Sequence, residues 1–166
     1  MVDMHKSKTK LSRIRQRGFS LVDMMIAIAI LAMISSVIIL SFAAFRAQKN
    51  LDAAVEMVMV AFSQAHLDTI SSKNDSTYGI ALQSDEVIYF KGATYPGEAA
   101  AGNIRYPLPP TVEIANISLN GGGTEVFFNR IQGGTTQYGS FVVRAKLATT
   151  TRNTITISQV GIVSLQ

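Results

Sequence analysis

RQRGFSLVDMMIAIAILAMISSVIILSFAAF, residues 15–45, decides how this chain is read: a basic flank, a glycine, one early carboxylate and then an uncharged apolar run. From Met24 to Phe45 there are 22 residues without a charge, which as a helix at ~1.5 Å per residue reach about 33 Å and match a bilayer core of about 30 Å. Ser35, Ser36 and Ser41 can bond back to carbonyls of their own helix, so no polar group need be stranded in lipid. The stretch predicts a membrane-spanning helix over residues 19–45. A buried helix of a soluble core is the alternative that this length disfavours.

Lys6, Lys8, Lys10, Arg13, Arg15 and Arg17 precede the run against the single acid Asp3, whereas only Arg46 and Lys49 follow it before Asp52. The positive-inside bias places the N-terminus in the cytoplasm and the remainder outside it. An ordinary signal peptide fits less well, because the run exceeds a usual apolar core of such peptides and no small-residue cleavage site follows it. The 166 residues carry 15 basic and 11 acidic side chains, formally +4. Without residues 1–18, nine basic residues face ten acidic ones, a balance of −1. The positive charge is therefore a topology signal more than a sign of a nucleic-acid partner.

Gly18-Phe19-Ser20-Leu21-Val22-Asp23, followed by MMIAIAIL, resembles the processing site of type IV prepilins and type II secretion pseudopilins. The resemblance implies that residues 1–18 are a leader cut off between Gly18 and Phe19 by a prepilin peptidase, and that the freed amine of Phe19 is methylated. It also implies a single-pass subunit of the inner membrane with a periplasmic head. Its partners would be other pilin or pseudopilin subunits and an inner-membrane assembly platform. Gly18 lacks a Cβ, which lets a protease approach the backbone closely. Asp23 is an acid at the margin of a membrane helix, costing up to ~3 kcal/mol, and calls for a partner. The amine of Phe19, in the same subunit or a neighbour, would serve and would set axial register between helices. Capping the helix N-terminus or reaching toward headgroups are the plainer roles open to it. The family usually has glutamate here, one methylene longer, and many of its major pilins have a helix proline that this run lacks, so a straighter helix is expected.

Beyond the run, Leu51, Val55, Val58, Phe62 and Ala65 recur at three- and four-residue steps, while Asp52, Glu56, Gln64 and Asp68 fall mostly elsewhere. This predicts an amphipathic continuation over residues 46–72, ending in SSKNDS, residues 71–76. Residues 77–166 read as a β-rich head: YGIALQ and VIYFK form a hairpin, and TVEIANISL, TEVFFN, SFVVRAKLA, TITISQ and IVSL follow between glycine and polar clusters. Residues 92–110, with Pro107, Pro109 and Pro110, read as a long surface excursion. The expected fold class is α+β, a long N-terminal helix packed on a mostly antiparallel sheet. Val126, Phe127, Phe128, Gly133, Gly161, Ile162 and Val163 are similar to the closing pattern of GspH/FimT-type minor pseudopilins, with Ile162 standing where a basic residue is common.

The chain has no cysteine, hence no disulfide and no thiolate site. His66 has no second histidine or acid cluster at metal spacing and reads as a packing or surface residue, and no catalytic constellation is evident, so neither an enzyme, a metal nor a cofactor is expected. Three functions follow. The first is a minor pseudopilin or pilin subunit that packs helix to helix and supports secretion. The second is a DNA-uptake minor pilin using Arg144, Lys146 and Arg152, disfavoured by the charge balance. The third is a signal-anchored envelope domain that binds a ligand and never polymerises.

Overall fold

The structure, a computed structural model, describes residues 20–98, 100–147 and 151–166, and of residues 37–41 the backbone alone. The expected leader and the Gly18–Phe19 cleavage site lie outside the described residues. Helix α1 runs from Leu21 to Ile70. The chain divides into two compact units, Met1–Ser41 and Phe42–Gln166.

In the first unit every large apolar side chain from Leu21 to Ile34 keeps more than half of its surface bare, from 52% at Ile30 to 77% at Leu21. Among the described residues no helix is long and apolar enough to cross a membrane. The expected span includes residues 37–41, whose side chains are not among those described.

In the second unit the amphipathic reading of α1 is realised: Leu51, Ala54, Val55, Val58, Ala61, Phe62 and Ala65 are all buried. Eight strands follow: β1 (Tyr78–Leu82), β2 (Glu86–Lys91), β3 (Ile104–Pro107), β4 (Val112–Leu119), β5 (Glu125–Phe127), β6 (Gly139–Ala145), β7 (Arg152–Ile157) and β8 (Val163–Leu165). They form two four-stranded sheets, ordered β3-β2-β1-β5 and β4-β6-β7-β8, with every pairing antiparallel. The helix is thus packed on antiparallel sheets, as expected for the fold class, with two sheets where one was read.

One core joins the helix stripe to Ile80, Leu82, Val87 and Val126 of the first sheet and to Ile114, Phe141, Val143 and Ile155 of the second. Phe62 sits among them, stacked on Phe141 with ring centroids 5.9 Å apart and edge-on to Phe128 at 6.5 Å. Strand β1 is buried on both faces. Its Ala81, with Ile88 and Phe90 of β2, forms a second small cluster covered by Tyr95.

The excursion expected at residues 92–110 contains a strand, β3, in place of loop throughout. Its pattern carries little apolar signal, because an edge strand largely exposed to solvent has no face to bury. It is held by pairing to β2 and by a two-pronged ion pair between Arg105 and the buried carboxylate of Glu86. Pro107 closes the strand, where its missing N–H is tolerated.

Phe62→Ala is expected to remove about 3–5 kcal/mol of head stability and to lower the unfolding midpoint of the detergent-solubilised chain by on the order of 10 °C. Val60→Ala, at a position 55% exposed on the same helix, should shift it by less than about 0.5 kcal/mol. Equal shifts from both substitutions would contradict the packing described.

Candidate functional site

The segment expected to be processed and assembled begins, among the described residues, at Ser20. The Val22 N–H donates to Ser20 Oγ at 3.4 Å, and the Ser20 N–H donates to Asp23 Oδ2 at 3.3 Å. The two bonds cap the helix start as a variant of the capping box, with aspartate in the place of the usual glutamate or glutamine and with Ser20 Oγ taking the N–H of the second helical residue in place of the third. Of the roles open to Asp23, the helix cap is the one made within the described chain. The negative charge also lies in the first turn, where the helix dipole favours it. Gly18 and Phe19 are not among the described residues, so the expected pairing of Asp23 with the Phe19 amine lies outside them.

At the other end of α1 an acid sits on the buried stripe. Asp68 lies three residues past Ala65 and is only 8% exposed. Its Oδ2 accepts from the Tyr89 hydroxyl at 2.7 Å and from Lys73 Nζ at 2.8 Å. Burial opposes its ionisation, but the hydrogen bonds from Lys73, Gln64 and Tyr89 outweigh that penalty and hold its carboxyl below the usual aspartate value. Burial and the same hydrogen bond push the Tyr89 hydroxyl up, so it stays a donor. Thr69, fully buried, donates to the Ala65 carbonyl at 2.8 Å and accepts from the Tyr78 N–H at 2.9 Å. Together these bonds fasten the helix end to β1 and β2. The sequence offered a signal for Asp68 in its spacing, since an acid on an apolar stripe needs partners.

His66 explains two glycines of the GspH/FimT-like pattern. Its ring is edge-on to Phe128 at 5.1 Å. A Cβ on Gly133 would come within 2.5 Å of His66 Nε2, and one on Gly161 within 2.0 Å of the Gly133 carbonyl and 2.9 Å of the same nitrogen. Both glycines have positive φ, 70° and 81°, and both are required by close approach as well as by conformation. The histidine is a packing residue, with Nε2 buried and unpartnered. Ile162 beside it is 61% exposed.

The three basic residues read as a nucleic-acid patch are brought near one another. Arg144 and Arg152 are cross-strand partners on β6 and β7, and Lys146 follows two positions after Arg144. Arg144 is already engaged by Glu113 at 2.7 Å, whereas Lys146 and Arg152 are exposed. Among the described residues no group of three or more His, Cys, Asp or Glu side chains is placed to hold a metal ion.

Asp68 gives the head an acid-sensitive link. Because its folded pKa is depressed, the stability it supplies is complete above the unfolded value near 3.8 and is lost as pH falls through the folded pKa. Asp68→Asn should lower stability at neutral pH and flatten the stability-versus-pH curve between about pH 5 and pH 2. Parallel acid titrations of the two chains, followed by circular dichroism, check this, and superimposable slopes would refute it.

Residues 13–39 match the family model described as the prokaryotic N-terminal methylation motif. Among solved structures the chain is similar to the type IV minor pilin FimU of Pseudomonas aeruginosa strain PAO1 in two crystal forms. One gives a TM-score of 0.53 at 16% identity over 69% of this chain and 91% of that one. The other gives 0.56 at 16% identity over 74% and 92%. At that identity the likeness is one of fold. No curated protein matches the chain in sequence. The chain therefore carries the prokaryotic N-terminal methylation motif ahead of a fold similar to that of a type IV minor pilin.

Proposed function

We propose that the chain is a minor pseudopilin or pilin subunit. A prepilin peptidase cuts it between Gly18 and Phe19 and methylates Phe19. The freed subunit leaves the inner membrane by packing its helix against those of other subunits on an assembly platform, forming a type II secretion pseudopilus or a type IV pilus that supports protein secretion. The observation that carries the reading is the pairing of the methylation-motif match over residues 13–39 with an all-round apolar helix whose large side chains are bare. In lipid those side chains need no protein partner, since acyl chains are as apolar as leucine. Outside lipid each one left exposed forgoes about 1.5–3 kcal/mol of burial, so departure from the membrane requires other helices around it.

Within such a bundle Asp23 would exchange the Ser20 amide for a neighbour's methylated amine, because an unpaired buried charge costs far more than a paired one. The aspartate is one methylene shorter than the family's usual residue, which brings the two helices closer at that level. The DNA-uptake reading has less support, since Glu113 already neutralises Arg144 and the chain without its leader is net acidic.

Expression with and without a prepilin peptidase should give two N-termini by mass spectrometry, Met1 without it and methylated Phe19 with it. Gly18→Ala should abolish the conversion. A native N-terminus at Met1 would instead favour a signal-anchored domain that never polymerises. Asp23→Asn should be cleaved normally yet fail to enter sheared filaments, with Asp23→Glu retaining assembly. Wild-type incorporation of Asp23→Asn would remove the register role.

A further inference from the structure

Nine basic residues remain once residues 1–18 are set aside. Five are ion-paired: Lys49 with Asp52, Lys73 with Asp68, Arg105 with Glu86, Arg130 with Asp75 and Arg144 with Glu113. Of the four without an ion-pair partner among the described residues, Arg46, Lys91, Lys146 and Arg152, three share one end of the second unit. Asn50 Nδ2 donates to Thr111 Oγ1 at 3.0 Å, and the Lys146 N–H donates to the Thr111 carbonyl at 2.9 Å, so the end of β6 is tied to the helix one turn beyond Arg46. Arg152 opens β7 in register with Arg144, two positions before Lys146. Between helix and hairpin runs an apolar slot of about 310 Å³ lined by Ala43, Arg46, Ala47, Asn50, Ala145 and Leu147. Leu147 is 97% exposed, and Phe42 and Phe45 nearby on α1 are 60% and 58% exposed. The nearby acids are spoken for: Glu113 by Arg144, and Asp52 by Lys49 and Gln48.

We propose that this surface is a phospholipid-docking site. Arg46, Lys146 and Arg152 bind headgroup phosphates of the bilayer that holds the apolar run, and Leu147 reaches past them into the glycerol region beside the slot. The site rests on the membrane-spanning reading of residues 19–45. Arg46 directly follows the uncharged run, so whatever depth the run takes, this turn leaves the hydrocarbon at the level of the phosphates. Unpaired cations flanking exposed apolar side chains are the composition that interfacial surfaces use, the cations for the phosphates and the apolar groups for the acyl boundary. A nucleic-acid duplex fits less well, because reaching Arg46 would press its phosphates against those of the membrane. Docked this way, the head of an unassembled subunit is held against the membrane, and extraction into a filament must release these phosphate contacts.

The chain contains no cysteine, so Leu147→Cys carries a single environment-sensitive fluorophore on the full-length protein. The labelled chain is reconstituted into vesicles of phosphatidylcholine alone or with phosphatidylglycerol, each containing a headgroup-proximal spin-labelled lipid. Quenching at position 147 is expected to be strong in the anionic vesicles and weak in the neutral ones, and to fall by about fivefold in docked-to-free ratio for each of Arg46→Gln, Lys146→Gln and Arg152→Gln. Arg46→Lys should retain it. A second label at Met33→Cys, quenched by mid-chain spin label, reports insertion of the run independently. Insertion at 33 without anionic-lipid-dependent quenching at 147 overturns the docking site alone, whereas no insertion at 33 overturns the membrane reading with it. Protection of position 147 by duplex DNA in place of vesicles would also overturn it.

Discussion

Both sheets of the head turn their apolar faces to one stripe of α1, and the burial of Leu51, Val58, Phe62 and Ala65 between them is the interaction on which the rest depends. Short strands such as β5 and β8, three residues each, have little pairing of their own to rely on. They are held because the sheets they edge are clamped to a helix. The polar bonds around Asp68 and Thr69 act on this arrangement at its far end, where a frayed helix would otherwise let β1 drift. Since the packing is shared by three elements, the helix cannot be withdrawn without dismantling both sheets.

The same helix also carries a second kind of surface. Its earlier turns are apolar on every side and lack a partner within the described chain, while its later turns are apolar only where the sheets cover them. Under the proposed function something else accommodates the first part, lipid at one stage and protein at another. The charge distribution follows that division. Five of the nine basic residues after residue 18 are matched with acids, and three of the four left over gather where the helix emerges from its uncharged run.

The helix, the stripe, the loop after residue 70 and most strands were legible because periodicity at 3.6 and 2 residues comes directly from which faces are buried. Division into two sheets was not, since pairing β1 with β5 and β4 with β6 joins segments far apart in sequence. Strand β3 was missed for lack of a buried face. Asp68 was grouped with the polar side of the helix, though its spacing from Ala65 placed it on the apolar one. Asp23 was recognised as an acid in need of a partner, and the cap it makes with Ser20 was among the roles left open. At the Arg144 patch proximity was legible along the chain, but not the cross-strand Glu113 that offsets the charge.

The contact between His66 and the glycines of the β5–β6 and β7–β8 turns bears on how such a subunit matures. No directional bond holds these turns to the ring; they fit because nothing projects from Gly133 and Gly161. The partners lie 67 and 95 positions from the histidine, so this junction closes only after most of the head is free to fold, when loop-closure entropy is greatest. Until then the hole around the imidazole stands open to water, and the interval before it seals is when a protease would find the nascent head most susceptible.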